Sequence, residues 1–307
     1  MTRWSRLVPT PSRSDDSRLL SEMLGRIGAN PNEANGVSED VFIVEQTGHI
    51  ATFTINRPDK RNALNPEIHA ALVREIDRMA EEGTVRCLII KGQGDKAFSA
   101  GDDLKREPGD PGPQPDPNRP ESLQWPRRVS REAIFDAPFP VVAMIQGYCV
   151  GGGLALATEC DIRIAGKGSQ LGIPPSKLGI IYDFERIQVF IDLIGPSFTK
   201  ELFCSGRRVS AERALDMGLV NEVVEPDELE AAAYGLAEEF AVTAPLSLKG
   251  HKALVNTLVQ RRNEGSALTA ADIEAMREAQ SIARASEDAR EGRVAFSEKR
   301  TPVFKGR

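Results

Sequence analysis

The sequence has few of the residues that often build metal sites, disulfide frameworks and histidine-dependent catalysis. Its 307 residues include 3 histidines, 4 cysteines and 2 tryptophans. No histidine stands in a motif with a serine or a cysteine, so we assign the histidines no catalytic role. The cysteines lack paired metal-ligand spacing, which favours reduced, packed thiols and indicates no metal site.

Long apolar runs and an excess of positive charge are also absent. No stretch approaches the ~20 consecutive apolar residues that a membrane-spanning helix needs. The chain carries 39 basic and 45 acidic residues, and this acidic balance disfavours a nucleic-acid-binding surface. Residues 1–40 contain no apolar core of a secretory signal. We therefore expect a cytoplasmic protein with neither membrane nor nucleic-acid partners.

The apolar pattern after this segment predicts a hairpin and then a helix. Residues 41–44 and 50–55 begin with alternating apolar side chains and are joined through a glycine turn, which is typical of a β-hairpin. Asn65 can cap the helix, and Pro66 suits its first position. The apolar face that follows ends at Gly83.

Strands and helices then alternate, which predicts an α/β core followed by a helical region. We expect a mobile N-terminal extension at 1–40, a core at 41–207 and a mostly helical region at 208–307. Between 107 and 125 the chain has six prolines, which favours a mobile loop. This loop is either a lid over the site or a solvated insertion without a role.

Two strand-to-helix corners carry glycines. The apolar run Val141–Ile145 leads into Gly151-Gly152-Gly153 at the start of a helical pattern, and Arg86–Gly92 leads to a corner at Gly101. Backbone N–H groups in the first turn of a helix have no intrahelical partner, so such a corner can bind a phosphate or an oxyanion. A tight turn without a ligand is the alternative for either corner taken alone.

Together with the segment Asn56–Leu64, these corners resemble the crotonase (enoyl-CoA hydratase/isomerase) family in order and spacing, from about Val41 to about Asn256. The resemblance implies an α/β spiral of ββα units with C-terminal helices that assemble a homotrimer or a hexamer. It also implies an acyl-CoA thioester substrate whose carbonyl is held in an oxyanion hole between the backbone N–H groups of Asp102 and Gly152. No cofactor is implied, because CoA is part of the substrate.

The resemblance also assigns a path for CoA. The segment that contains Ala63 and Leu64 matches the stretch that lines the adenine and pantetheine, and Ala100 belongs to the same CoA-binding set. Lys60 and Arg61 are expected to pair with the nucleotide phosphates, although exposed basic side chains of this kind are often only solvated.

At the reacting end the sequence departs from the hydratases of the family. Their two catalytic glutamates fall here on Ala155 and Pro175, which cannot carry a proton. Asp183 falls where several branches keep a working aspartate, and we expect it to act as acid/base from an apolar pocket, with Tyr182 orienting the substrate. A helix N-cap is the alternative role for Asp183. Glu159 is expected on the surface or in a structural salt bridge.

The leading prediction is therefore double-bond isomerisation of an enoyl-CoA through a thioester enolate, with Asp183 moving the proton. Hydration by an atypical base, decarboxylation, and hydrolytic or dehalogenating attack by Asp183 stay open on the same scaffold. A non-catalytic acyl-CoA-binding protein is the alternative of a different class, because both glutamates are missing.

Overall fold

The computed structural model of the protein describes residues 41–103 and 129–307. The N-terminal extension at 1–40 and the proline-rich segment at 107–125 both lie outside the described residues. Asp40–Arg307 forms one compact unit.

The hairpin and the first helix are confirmed. Strands β1 (Phe42–Thr47) and β2 (Ile50–Ile55) pair antiparallel. Helix α1 (Pro66–Glu82) begins where the Asn65 side chain accepts a hydrogen bond from the Ile68 N–H at 2.9 Å, which satisfies one free amide of the first turn. It ends at Gly83, whose φ of 66° is accessible to glycine without strain.

The middle of the chain alternates strands with helices. In chain order the elements are β3 (Cys87–Gly92), β4 (Ala97–Ser99), α2 (Ser130–Asp136), β5 (Val141–Ile145), β6 (Tyr148–Val150), α3 (Gly152–Glu159), β7 (Ile162–Gly166), β8 (Gln170–Gly172), α4 (Pro175–Leu178) and α5 (Phe184–Ser205).

These elements form three successive ββα units. The first strand of each unit joins a six-stranded sheet. The order in this sheet is β1-β2-β3-β5-β7, followed by one strand from further along the chain. The second strand joins a four-stranded sheet that contains β4-β6-β8. Each unit thus adds one strand to each sheet and one helical segment, and successive units stack in parallel register. This arrangement confirms the predicted spiral of ββα units.

The region after 207 is helical, as expected, but it also completes both sheets. Its elements are β9 (Arg208–Ser210), α6 (Ala211–Met217), β10 (Glu222–Val224), α7 (Leu229–Ala241), α8 (Pro245–Asn263), α9 (Ala270–Ala285) and α10 (Glu287–Glu298). Strand β9 pairs antiparallel with β8, and β10 pairs parallel with β7. These three-residue strands were too short to show a period of their own, so the apolar pattern did not reveal them.

The core lies between the large sheet and the helices, and it sets the glycine corners at the ends of buried strands. Strand β4, which precedes the first corner, is buried along its whole length, and β6, which precedes the second, contributes the buried Cys149. Helix α3 is buried along nearly its whole length. Because these elements are closely packed, the backbone at each corner has little freedom to shift.

Asn62 is expected to be a strong stability determinant of the first corner. Its side chain accepts from the Arg57 N–H at 3.1 Å and donates to the carbonyls of Gln93 at 3.0 Å and Ala97 at 2.7 Å, and its φ is 56°. Asn62→Ala leaves these buried groups without partners and removes a residue type that tolerates positive φ, so we expect a loss of about 3 kcal/mol in urea unfolding. Asn256→Ala, which removes a single solvent-exposed hydrogen bond to the Phe135 carbonyl, is the control. A loss below about 0.5 kcal/mol for Asn62→Ala would contradict this role.

Candidate functional site

The two glycine corners meet backbone to backbone. Gly101 follows β4 with a φ of 99°, and Gly151 follows β6 with a φ of 57°. A methyl group built on Gly101 would lie 2.8 Å from the Val150 carbonyl oxygen and 3.2 Å from the Gly152 nitrogen. Only a residue without a side chain fits there, because both the backbone angle and the close approach exclude a Cβ atom.

Two amides remain available where the corners meet. Around the first corner, the Ala100 N–H donates to the Arg61 carbonyl and the Asp103 N–H donates to the Leu64 carbonyl, both at 2.9 Å. The N–H groups of Asp102 and Gly152 donate to no other backbone atom of the described residues. Two neighbouring free donors are the arrangement that the oxyanion-hole prediction requires. Their role in holding a thioester stays a prediction.

The Asp102 carboxylate packs against the start of α3. A methyl group on Gly152 would lie 2.6 and 2.7 Å from its two oxygens. The first turn of a helix favours a negative charge, because its N–H groups point towards the charge. Asp102 therefore contributes both a free amide and a carboxylate to the same small region.

Asp183 is the N-cap of α5, which is the alternative that the sequence left open. Its Oδ1 accepts a hydrogen bond from the Arg186 N–H at 2.9 Å. The side chain is 51% exposed, so the expectation of an enclosed apolar pocket is wrong for this carboxylate. The cap uses Oδ1, and the proton-transfer role of Asp183 stays a prediction.

Tyr182 lies over the second corner. Its hydroxyl oxygen is 3.8 Å from the position that a methyl group on Gly151 would occupy. The ring packs edge-on against Phe203, with ring centroids 5.8 Å apart. Burial is the largest cause that raises the pKa of the Tyr182 hydroxyl, and the Asp102 charge adds to it. The phenol is therefore a neutral hydrogen-bond donor beside the free amides.

One guanidinium joins two carboxyl groups behind Tyr182. The Arg186 Nε lies 3.6 Å from Asp183 Oδ2 and 3.8 Å from Glu159 Oε1. The guanidinium carbon is 5.9 Å from the centre of the Tyr182 ring. Both ion-pair distances are measured to the same Nε atom, so Arg186 is a shared partner of the Asp183 and Glu159 carboxyl groups.

Glu159 is the buried member of this pair. Its side chain is 4% exposed, so the expected salt bridge exists but lies inside the protein instead of on the surface. Burial is the largest influence on the Glu159 carboxyl and raises its pKa to about 7, and the Arg186 charge opposes that rise. The carboxyl therefore exchanges a proton near neutral pH.

Glu159 is expected to make stability depend on pH. Its folded-state pKa of about 7 lies above the ordinary value of 4.5, so its contribution is fully present below pH 4.5 and is lost as the pH rises through 7. Glu159→Gln should therefore gain stability relative to wild type between pH 5 and pH 8, by up to about 3 kcal/mol. Urea unfolding at the two pH values measures this gain. If the unfolding free energies of the variant and wild type differ by the same amount at pH 5 and pH 8, Glu159 does not titrate in this range.

The sequence assigned no catalytic role to two further residues near the site, Arg186 and His69. The His69 Nδ1 lies 3.1 Å from the Ser130 hydroxyl, and burial is the largest cause that lowers the pKa of the imidazole. Asp102 and Arg186 both act on that pKa, which places His69 near the same charges. No local motif marks either residue. For Glu159 a signal did exist, because it follows Ala155 by four residues and so shares its helix face.

The segment predicted to bind CoA runs beside the first corner. The Leu64 N–H donates to the Gly101 carbonyl at 2.8 Å, but the Leu64 side chain is in the core, so only its backbone is available to a ligand. Ala63 is buried, whereas Lys60 and Ala100 are exposed.

The basic end of this segment stacks on an aromatic ring. The exposed Arg61 guanidinium lies 5.6 Å from the centre of the Tyr148 ring, and Arg208 lies 5.1 Å from the same ring. This places two cations around one ring next to the predicted CoA path. Their contact with nucleotide phosphates stays a prediction.

Within 41–103 and 129–307, no cluster of three or more His, Cys, Asp or Glu side chains is placed to hold a metal ion. No helix in these ranges combines the length and the apolar character needed to cross a bilayer. All four cysteines are free thiols, and Cys204 is the exposed one.

Comparisons with known proteins agree with this geometry. The family model described as enoyl-CoA hydratase/isomerase matches residues 45–307. The chain is 31% identical to (E)-benzylidenesuccinyl-CoA hydratase of Thauera aromatica, over 86% of this chain and 98% of that protein. It is 34% identical to carnitinyl-CoA dehydratase of Salmonella typhi, over 88% of this chain and all of that protein.

A solved structure gives the same result for the fold. The enoyl-CoA hydratase of Bacillus anthracis superposes with a TM-score of 0.75 at 31% identity, covering 87% of this chain and 100% of that one. Family, relatives and fold therefore coincide over the region that contains both glycine corners. The chain belongs to the enoyl-CoA hydratase/isomerase family, the crotonases.

Proposed function

We propose that this crotonase-family enzyme isomerises the double bond of an enoyl-CoA through a thioester enolate. The amides of Asp102 and Gly152 hold the enolate oxygen, and Asp183 carries a proton. One observation supports this most directly: the two corners meet with both amides free, and Tyr182 lies over the second corner.

The oxyanion hole is proposed to supply most of the stabilisation. Removing a proton from a carbon beside a thioester, or from a vinylogous position, places negative charge on the carbonyl oxygen. Each fixed donor aimed at that oxygen typically stabilises the transition state by ~2.7–4 kcal/mol. Backbone amides suit this task because they do not titrate and are held by the packed strands around them.

The proton must be carried by a group other than residue 155, which stands where the hydratases of the family have a catalytic glutamate. Ala155 has no ionisable atom, and neither does Pro175. Asp183 has a carboxylate oxygen, Oδ2, that its capping hydrogen bond does not use. Its half-exposed position lets it exchange protons with water between turnovers.

The remaining parts of the proposal concern substrate and assembly. We propose that Lys60, Arg61, Ala63, Leu64 and Ala100 line the CoA path, that no cofactor beyond the substrate's own CoA is used, and that the enzyme is cytoplasmic. A homotrimer or a hexamer built through the C-terminal helices is proposed as the assembly. Exposed apolar side chains on α8 and α9, including Leu258 and Ile282, support such an interface.

The test follows a β,γ-enoyl-CoA in heavy water by NMR and mass spectrometry. The expected result is conversion to the α,β-isomer with deuterium incorporated from solvent. Addition of water to the α,β-isomer, without isomerisation, would replace this function by hydration. One relative is named a hydratase, and the other is named a dehydratase. Binding of the CoA ester without any turnover would instead favour the non-catalytic alternative.

A further inference from the structure

The buried carboxyl of Glu159 has no part in the proposed function, although it lies beside the proposed proton carrier. It is the last residue of α3, the helix whose first residue, Gly152, supplies one oxyanion amide. Ala155 stands between them on the same face, because residues three and four apart line up along a helix. One helix thus presents an amide, a small side chain and a carboxyl in a row.

The reach of Glu159 follows from helix geometry. Its Cα is four residues, about 6 Å, further along the axis than that of Ala155, slightly more than one turn. Helical side chains lean towards the N-terminus, so a glutamate covers the turn that precedes it. An alanine methyl group leaves that turn open. A glutamate side chain at position 159 can therefore extend back along the face that leads to the Gly152 amide.

The buried Glu159 side chain borders a cavity of about 1430 Å³ between α2, α5 and α8. Arg131, Phe184 and Val255 also line this cavity, whereas the two glycine corners do not. The only ion-pair partner of Glu159 among the described residues is Arg186, at 3.8 Å. The carboxyl is thus held by one distant cation and keeps lone pairs for another partner.

We propose that Glu159 is a second proton-carrying residue of the acyl site, whose carboxyl contacts the γ-carbon of the enoyl chain. Asp183 then takes a proton from the α-carbon. This assignment rests on the proposed isomerisation. It follows from the position of the two carboxyl groups, because Asp183 Oδ2 and Glu159 Oε1 lie 3.6 Å and 3.8 Å from the same Arg186 Nε.

The step is balanced within the protein. Asp183 forms an O–H bond as the α-C–H bond breaks, and the electron pair moves to the thioester oxygen as an enolate. The enolate collapses, the double bond shifts, and a new γ-C–H bond forms with the proton of Glu159. Asp183 then releases its proton to water and Glu159 takes one up, so one turnover consumes no acid or base.

The surroundings of Glu159 favour its protonated form. Burial is the largest cause and opposes ionisation, as do Asp183 and Asp102, whereas Arg186 and Arg131 favour it. A carboxyl that keeps its proton near neutral pH because it is buried is suited to act as an acid. Ionisation of Glu159 at high pH would remove the proton donor.

The experiment compares Glu159→Gln with wild type and with Glu185→Gln as a matched control two residues from Asp183. A β,γ-enoyl-CoA is incubated in heavy water, and two rates are measured: deuterium exchange at the α-carbon of recovered substrate, and formation of the α,β-isomer. We expect Glu159→Gln to retain exchange while isomer formation falls at least about 10²-fold. Glu159→Asp should recover part of the isomer formation.

The pH profile of kcat provides an independent readout. In wild type kcat should fall as the pH rises through about 7, and this limb should vanish in Glu159→Gln. Equal loss of exchange and isomer formation, with an unchanged pH profile, would overturn the proposal and leave Glu159 a structural ion-pair partner. Near-wild-type isomerisation by the variant would overturn it too. If wild type neither exchanges nor isomerises, the proposed function itself fails.

Discussion

Replacing Asp183 with asparagine is expected to lower kcat for isomerisation by about 10²–10⁴-fold, the usual contribution of a positioned general acid or base. The fold should survive, because asparagine caps helices about as well as aspartate and can still accept the Arg186 N–H bond. The variant therefore separates the two roles of this residue. Steady-state kinetics and thermal unfolding of the same preparations measure both effects.

Asp183→Ala is the companion variant. It removes the cap as well as the carboxylate, so it should lose activity and also about 0.5–2 kcal/mol of stability relative to Asp183→Asn. If Asp183→Asn keeps activity within about twofold of wild type, Asp183 is only a cap. The proton carrier would then have to be sought among the other titratable groups near the corners, with Glu159 first.

Gly101→Ala is expected to lower kcat/KM by about 10²–10³-fold, the effect of losing one oxyanion donor. The new methyl group would lie 2.8 Å from the Val150 carbonyl oxygen and 3.2 Å from the Gly152 nitrogen, which forces the two corners apart. Since both collisions are with backbone atoms, no side-chain rotation relieves them. The donors then no longer converge on one oxygen.

Gly94→Ala is the matched control for backbone strain. Gly94 also has a positive φ, 77°, but a methyl group there meets no atom within 4 Å. Both variants should lose about 1–2 kcal/mol of stability to the positive φ, and Gly101→Ala should lose more because of its backbone collisions. Only Gly101→Ala should lose activity. Equal kinetics for the two variants would mean that contact between the corners is not needed for catalysis.

Local features of the site were readable from the sequence. The hairpin, the Asn65 cap and the end of α1 at Gly83 depend on dihedral preferences and hydrogen bonds within a few residues. The glycine corners are local in the same sense, because each lies at a turn with a positive φ, which residues with a Cβ atom rarely adopt. Order and spacing of the corners then indicated the family and its spiral fold.

Other features required the tertiary structure. The sequence placed Asp183 in an apolar pocket and Glu159 in a surface or structural salt bridge, whereas the fold caps α5 with a half-exposed Asp183 and buries Glu159 against Arg186. Strands β9 and β10 were likewise hidden, because three residues show no period.

The sequence by itself determined where the chain turns, which faces are apolar and which residues cannot titrate. Only the tertiary structure decided which charges meet, since His69, Asp102, Glu159 and Arg186 come from separate elements along the chain. The burial of a carboxyl, and hence its pKa, depends on atoms supplied by all of those elements. Preferences along a few residues cannot encode such distances, because packing between distant segments sets them.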